Sequence, residues 1–412
     1  MNLKSEQIRP DLSLDIAYDE PLSKADMIAL LNDVLGIENC FSEIICNHKV
    51  LVYKNSCDVK IVLLFAACTY LGGNGQHPVF KKRIQLRTSF KEVCENLPSG
   101  YDAKFIGIYH YQGLIIFVDF EKETYLTKKM HNSAAHVYIN DLYQAIVNNE
   151  FSKRDAFGNT IHTISSRHFK EYLDGVSTYS PITELLDLFK KFNYGFPFGE
   201  WLTAVQCIQE MHDRSWKHWR QTEWPGFFLE YIYYGYVSKN RLEPKMEYMG
   251  LLPKKEREFD FDVWFNETTF FGDLKASDIT KKIAPGNDQD NFLECINKYG
   301  RFWYIIYEHQ SVSDKNCNGE AEKFRKQLIL EDDPSYYLKR KNKSNSSNHR
   351  FIDNRVYFDD MMIIELNRFN YHEVLTDFNQ GRQPGGGGRA KKFNINKRNI
   401  DNFVMLRYKY GD

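Results

Sequence analysis

The chain has 412 residues, with 54 Lys and Arg against 55 Asp and Glu and a formal net charge of −1. This balance excludes a uniformly basic nucleic-acid-binding protein, while the length allows two domains with sizeable cores and the many aromatic residues exclude disorder. The polar N-terminus predicts no signal peptide, and eight cysteines without CxxC spacing predict reduced thiols in a cytoplasmic protein.

The first 178 residues are predicted to form an N-terminal mixed α/β domain with a role in DNA recognition or as an effector module. Its clearest piece is residues 105–120, where two apolar strands flank a central Gln-Gly pair that is typical of a tight turn. A turn-rich stretch at 175–181 follows and precedes a helical pattern. We therefore expect a second domain at 179–412.

Within the first domain, residues 72–91 contain no acidic residue, and basic side chains alternate there with apolar ones. On a strand, Lys82 would face one way while Lys81 and Arg83 face the other. Arg suits base edges and Lys suits phosphates, so this strand is predicted to contact DNA; the alternative is an edge strand protected by charge. The predicted DNA-binding residues of this strand are Lys81, Lys82, Arg83 and Arg87.

In the second domain, residues 224–237 read as a buried helix that Pro225 opens in its first turn. Glu230 is the lone carboxylate among the aromatic and aliphatic residues of this segment. A buried carboxylate is costly unless it is paired or binds a metal. The alternative is a glutamate on the solvated side of the helix, bonded to a tyrosine hydroxyl.

The stretch EFDFDVWFNETTFFGDLK, which ends at Lys275, reads as two alternating strands joined by a tight turn. A turn centred on Asn266 and Glu267 places Asp260 opposite Asp273, whereas a turn shifted by one residue places Asp262 there instead. We expect Asp260. Either register gathers two carboxylates and an ammonium group, which could hold Mg²⁺ in an oxygen shell and orient or deprotonate a water.

Downstream, residues 288–299 predict a capped helix, Gly300 ends it, and residues 301–308 form a continuous apolar run typical of a buried strand. The order helix, strand, strand, helix, strand over about 215–310, together with the acidic hairpin, resembles the PD-(D/E)xK nuclease superfamily. The resemblance implies an α/β (α+β) fold with a restriction-endonuclease-like core, an α-β-β-α-β mixed sheet flanked by helices.

The resemblance also implies roles for individual residues. Asp260 or Asp262 would be the first acid, Asp273 the second acid and Lys275 the lysine, although the leading Pro-Asp of the motif is absent. Many of these nucleases carry a helical Glu near the metal, which points to Glu230. The implied metal ligands for Mg²⁺ are Asp260, Asp273, Glu230 and Asp262.

The C-terminal segment 379–400 also lacks acidic residues, and it contains four consecutive glycines at 385–388. A flexible glycine loop of this kind could become ordered along a DNA groove, and the alternative is a plain surface loop. The predicted DNA-binding residues of this segment are Arg389, Lys391 and Lys392.

Together, these patterns predict a Mg²⁺-dependent type II restriction endonuclease that hydrolyses double-stranded DNA and leaves 5′-phosphate ends. We expect a homodimer, because palindromic targets suit two-fold symmetry, with no membrane segment and no nucleotide cofactor. The Gly-rich stretch at 72–75 lacks the Lys-Ser/Thr of a P-loop. The alternatives are a structure-specific DNA repair or junction-resolving nuclease of the same superfamily, and a non-catalytic DNA-binding protein.

Overall fold

The chain forms two compact units, Met1–Thr183 and Glu184–Asp412, and each is a mixture of helices and sheets. The α+β fold class predicted from the sequence is therefore confirmed. No helix in the described part of the chain is long and apolar enough to span a membrane. The computed structural model describes residues 3–70, 77–127, 134–155, 158–176, 180–341, 352–378 and 390–411.

Unit 1 is built around a seven-stranded sheet with the strand order β11-β12-β9-β8-β5-β4-β3, in which only the β5–β8 pair is parallel. A hairpin of β1 and β2 and a small sheet of the order β10-β7-β6 complete its strands. The strands are β1 (Ser5–Ile8), β2 (Leu14–Ala17), β3 (Cys40–Ile45), β4 (His48–Lys54), β5 (Lys60–Ala67), β6 (Thr69–Tyr70), β7 (Lys81–Gln85), β8 (Tyr101–Tyr111), β9 (Leu114–Phe120), β10 (Ala134–Tyr138), β11 (Glu150–Arg154) and β12 (Thr160–Ser165).

The predicted hairpin of residues 105–120 is present as β8 and β9. Gln112 and Gly113 have positive φ angles of 49° and 82°, the conformation that a two-residue hairpin turn requires. One face of the large sheet packs apolar side chains against two helices, the first of which buries Leu31 and Leu35. The helices of unit 1 are α1 (Lys24–Leu35), α2 (Thr88–Glu95), α3 (Lys122–Leu126), α4 (Ile139–Asn148) and α5 (Phe169–Leu173).

Unit 2 contains a sheet with the order β13-β19-β18-β16-β15-β14, in which β22 also pairs with β19, and a small sheet with the order β17-β21-β20. The strands are β13 (Trp201–Thr203), β14 (Met246–Tyr248), β15 (Val263–Phe265), β16 (Phe270–Asp278), β17 (Ile283–Asp288), β18 (Arg301–Ser313), β19 (Asp353–Asn367), β20 (Leu375–Phe378), β21 (Lys392–Asn396) and β22 (Val404–Lys409). The helices are α6 (Pro181–Gly195), whose first turn contains the unit boundary, α7 (Ala204–Asp213), α8 (Trp224–Asn240), α9 (Gln289–Tyr299), α10 (Glu320–Asp332), α11 (Pro334–Lys341) and α12 (Tyr371–Val374).

The centre of unit 2 contains the predicted elements in the predicted order, with strand β17 inserted between the acidic hairpin and the second helix. Helix α8 begins at Trp224 with Pro225 in its first turn. Strands β16 and β18 are parallel neighbours, and β17 and α9 lie between them in the chain. The side chain of Asp288 caps α9 by accepting a hydrogen bond from the Asn291 N–H at 3.1 Å, and Gly300 ends the helix in the left-handed conformation.

The local structure around the acidic hairpin has two irregular features. Residues 285–288 form the end of strand β17, and they contain a register shift against β21. The first strand of the acidic hairpin is also shorter than expected, since only Val263–Phe265 is extended and paired. Phe259 and Phe261, which precede that strand, are nevertheless buried in the core of the unit.

Candidate active site

The register of the acidic hairpin determines which aspartate meets Asp273. Val263 pairs with Gly272 and Phe265 with Phe270, so that the preceding residue, Asp262, lies opposite Asp273. The prediction of Asp260 for this position is therefore wrong. The loop between the strands has four residues instead of two, and its last residue, Thr269, has a φ of 52°.

Asp260 lies among basic side chains instead. Its carboxylate accepts ion pairs from Arg257 at 2.7 Å and Lys254 at 3.2 Å, and its side chain is 55% exposed. The two cations compensate the charge of the Asp260 carboxylate, and its role as a metal ligand stays a prediction.

Asp262 and Asp273 hold each other through the backbone of the hairpin. The Asp262 N–H donates to Oδ1 of Asp273 at 3.2 Å, and the Leu274 N–H donates to Oδ2 of Asp262 at 3.2 Å. Asp273 is buried in the middle of β16, and Asp262 immediately precedes β15.

Two further side chains bind the second oxygen of Asp273. The Lys275 ammonium group forms an ion pair with Oδ2, and the Asn287 side-chain amide donates to the same oxygen at 2.7 Å. The other amide atom, Oδ1 of Asn287, is buried without a hydrogen-bond partner in the described structure. Gly286, the residue before Asn287, lets β17 lie close to β21, because a Cβ atom there would lie 2.7 Å from the carbonyl oxygen of Phe393.

The concentration of negative charge shifts the protonation equilibria of this cluster. Burial raises the pKa of Asp262 well above its usual range, and the charges of Asp273 and Glu230 raise it further. Burial lowers the pKa of Lys275, but the neighbouring carboxylates of Asp273 and Asp262 outweigh that effect and the pKa is raised. The lysine is therefore cationic at neutral pH and acts as a hydrogen-bond donor.

Glu230 faces this cluster from α8 and is held by a tyrosine. The Tyr248 hydroxyl donates to Oε2 of Glu230, so the tyrosine bond of the alternative interpretation is present, but the carboxyl group is buried and not on a solvated side of the helix. Burial and the charge of Asp273 raise the pKa of Glu230 to about 7, while the tyrosine hydrogen bond lowers it. Its role as a metal ligand remains a prediction.

The donor set fits Mg²⁺ through two carboxylates. Within the residues that the structure describes, no three His, Cys, Asp or Glu side chains converge into a metal-binding group. Mg²⁺, however, is commonly bound by one or two carboxylates, with water and substrate phosphates completing its shell. Asp262 and Asp273 provide that pair, and the unpartnered Oδ1 of Asn287 is an acceptor of the kind that an ordered water satisfies.

Sequence reasoning missed three residues around the cluster: Lys217, Tyr248 and Asn287. The Lys217 ammonium group donates to the carbonyl oxygen of Gly250, and burial followed by the charge of Arg257 lowers its pKa. Glu230 and Asp262 act in the opposite direction on that pKa, which shows that Lys217 lies within electrostatic range of the acids. The aromatic and basic run around Trp216 contained no spacing that predicted this position.

The basic strand of unit 1 is β7, and its two faces have different environments. Lys82 is fully buried, where its ammonium group bonds Asp19 Oδ1 at 2.6 Å and Ser5 Oγ at 2.7 Å. The prediction that Lys82 contacts DNA is therefore wrong, because its ammonium group is buried and paired with Asp19 inside the fold. Lys81 and Arg83 lie partly exposed on the opposite face, and Arg87 is exposed after the strand.

Strand pairing places the two C-terminal lysines, Lys391 and Lys392, next to the candidate site. Lys392 pairs with Asp288, the neighbour of Asn287, and the Gln289 N–H donates to the carbonyl oxygen of Lys391 at 3.0 Å. Both lysine side chains are exposed. Arg389 and the four glycines before it lie outside the described residues.

Comparison with known proteins gives one match. Residues 59–173 match the family model described as Methylase-associated X1. No curated protein and no solved structure matches the chain. The matched residues lie in unit 1, outside the carboxylate cluster, so they support a link with a restriction–modification system and carry no information on nuclease activity.

Proposed function

We propose that the protein is a type II restriction endonuclease, which uses Mg²⁺ to hydrolyse phosphodiester bonds of double-stranded DNA and leaves 5′-phosphate ends. The observation that carries the proposal is the Asp262–Asp273 pair with Lys275 on the same strand as Asp273. The match of unit 1 to a methylase-associated family supports the restriction context of this activity.

In this proposal Asp262 and Asp273 would hold Mg²⁺, and Glu230, which faces the pair from α8, would complete the site. The metal would supply charge stabilisation to the scissile phosphate. Lys275, which stays protonated, donates hydrogen bonds that orient the attacking water and a phosphate oxygen. Asn287 keeps Asp273 in position, since its amide bonds the same oxygen as Lys275.

DNA contacts are proposed on exposed cations of each unit. Lys391 and Lys392 are placed next to the strand that delivers Asn287, so they suit the backbone near the scissile phosphate. Lys81 and Arg83 form the exposed face of β7 in unit 1. We further propose a homodimer, because a palindromic duplex presents two symmetry-related strands.

Plasmid cleavage tests this function. The purified chain is incubated with plasmid DNA of several sequences in Mg²⁺ and, in parallel, in EDTA. A discrete and reproducible set of bands, present only with Mg²⁺ and with 5′-phosphate ends, is expected. Asp273→Asn, which keeps the size of the side chain, should give no bands while DNA binding in EDTA is retained.

Other outcomes identify other functions. Cleavage restricted to branched substrates would identify a junction-resolving nuclease. Binding without cleavage of any substrate, by a folded protein with Mg²⁺ or Mn²⁺, would reject the nuclease.

A further inference from the structure

Unit 1 contains a cleft of about 340 Å³ at the β11 edge of its seven-stranded sheet. Glu150 pairs with Ile164 and Ser152 with His162, so these four side chains share one face of β11 and β12. They form the floor of the cleft, and Tyr172 of α5 lines a wall. The volume lies within the range of small-ligand sites.

The tyrosine wall is held in a fixed orientation. The Tyr172 hydroxyl donates to Oδ2 of Asp119 at 2.6 Å, and the Lys104 ammonium group bonds the same oxygen at 2.6 Å. That ammonium group also lies over one face of the Tyr172 ring, 5.3 Å from its centre. The opposite face of this fixed ring is the one that could stack on a ligand in the cleft.

The floor offers two polar side chains that make no hydrogen bond within the described residues, although the charges of Asp119 and Glu150 act on the His162 ring. Within the described residues, neither the Glu150 carboxylate nor the His162 imidazole has a hydrogen-bond partner, and the imidazole lies 6.0 Å from the Tyr172 ring. Burial lowers the pKa of His162, so the ring is neutral at neutral pH and presents one donor and one acceptor. The carboxylate presents acceptors alone.

We propose that this cleft binds a single nucleobase that is extruded from DNA, with its ring stacked on Tyr172. Glu150 accepts hydrogen bonds from an exocyclic amino group or a ring N–H, and His162 reads a neighbouring position of the same edge. Flipped bases are held in this way, by stacking on aromatic walls and hydrogen bonds to the base edge. The inference rests on the proposed function only in taking DNA as the source of the base.

The acceptor chemistry selects among the bases. Adenine, cytosine and guanine carry an amino group that a carboxylate can bind, whereas thymine offers only its N3–H, which lies between two carbonyl oxygens that the carboxylate repels. Unit 1 would then read a base directly, while the cleavage site lies in unit 2.

Photocrosslinking of the full-length chain in EDTA tests the proposal without cleavage. The probe is a mixed pool of duplex DNA in which cytosine is replaced by 5-iodocytosine, so no recognition sequence has to be known. Irradiation is expected to attach DNA to the peptide that contains Tyr172, as identified by mass spectrometry. Glu150→Gln should reduce that crosslink about tenfold, the loss expected for one charged hydrogen bond.

The matched control is Glu171→Gln, which removes the same charge from an exposed position on α5 outside the cleft lining. Its crosslink should equal that of the wild type, and both variants should unfold at the wild-type temperature. Tyr172→Phe, which keeps the ring, should retain most of the crosslink. Equal loss in both Gln variants would mean a general charge effect and would overturn the proposal.

A second arm identifies the source of the base. Equilibrium dialysis with free cytidine and adenosine is expected to show no binding at millimolar concentration, because the DNA backbone is needed to hold the base near the cleft. Binding of a free nucleoside without a DNA crosslink at Tyr172 would overturn extrusion from DNA, as would a crosslink confined to other peptides. A Tyr172 crosslink in a protein that never cleaves DNA would reject the nuclease function and still support base binding in the cleft.

Discussion

Asp262 and Asp273 are held together by main-chain hydrogen bonds, so the distance between the two carboxylates does not depend on a bound ion. The Asp273 carboxylate accepts a hydrogen bond from the backbone N–H of Asp262. The Asp262 carboxylate accepts one from the backbone N–H of Leu274, the residue after Asp273. Burial, followed by the charges of Asp273 and Glu230, raises the pKa of Asp262. The pair therefore has a standing affinity for cations.

Neutralising Asp262 should abolish cleavage, whereas neutralising Asp260 should not. We expect Asp262→Asn to reduce the single-turnover rate on plasmid DNA with Mg²⁺ by at least about 10³-fold, the scale of losing a charged group in the reacting site. Asp260→Asn is the matched control, two residues away and paired with surface cations. It should cut at a near wild-type rate. The reverse order of rates would restore Asp260 as the metal ligand.

Removing Asn287 should weaken metal binding without unfolding the protein. Asn287→Ala deletes the amide that bonds Asp273, and outer-sphere losses of this kind cost about 10- to 100-fold in activity or metal affinity. The Mg²⁺ concentration for half-maximal cleavage should rise accordingly. Asn240→Ala, at the exposed end of α8, controls for loss of an amide. An unchanged Mg²⁺ dependence would show that Asn287 has only a structural role.

His309 should make the stability of unit 2 depend on pH. Burial lowers its pKa to about 4, so the unfolded chain takes up a proton near pH 6.5 while the folded chain does not. Stability should fall as the pH is lowered from 6.5 to 5, by about 2 kcal/mol from this residue. The matched variant is His309→Phe, which keeps a ring against Phe358. Denaturant unfolding should show that the free energy of unfolding of the wild type falls by that amount, relative to the variant, across this pH window. Parallel pH profiles would rule out the effect.

At the level of elements, strand β7 divides its cations between the core and the surface. Lys82 enters a buried network with Asp19 and Ser5, while Lys81 and Arg83 remain accessible. The alternation of two faces was predictable from the sequence. The depth of the inner face was not, because Asp19 is 63 residues away in the chain.

Substitutions on the two faces of β7 should have opposite consequences. Lys82→Met should lower the free energy of unfolding by about 3 kcal/mol, because Asp19 loses its ion-pair partner, with no change in the salt dependence of DNA binding. Lys81→Glu with Arg83→Glu should leave stability within about 0.5 kcal/mol and flatten the salt dependence of binding. Binding titrations at several salt concentrations and denaturant curves separate the two effects. An unchanged salt slope in the double variant would place DNA elsewhere.

The sequence predicted elements better than their pairing. Pro225, Asp288 and Gly300 are local signals, and the helices α8 and α9 begin and end where these residues lie. The hairpin register was missed because it depends on a four-residue loop that holds Thr269 at a positive φ. A β-branched residue rarely adopts this conformation, so the sequence did not predict it. Asn287 was missed because its partner Asp273 lies on a different strand.

At the level of the whole molecule, each unit has its own core. The buried cluster around Phe292 and Tyr304 draws all of its members from residues 259–404, and the two clusters of unit 1 draw theirs from residues 8–173. A core that is complete within one stretch of chain predicts an independently folding domain.

The ion pair between Lys82 and Asp19 limits which segments of the chain can be exchanged by recombination without loss of folding. The segment that resembles another family begins at residue 59, after Asp19 and after β4, the neighbour of β5 in the sheet. Residues 1–183 expressed alone should therefore give a cooperative thermal transition by circular dichroism, whereas 59–173 should not. Folding of the shorter piece would contradict this. The stretch that must be transferred intact in recombination therefore begins about forty residues before the matched segment.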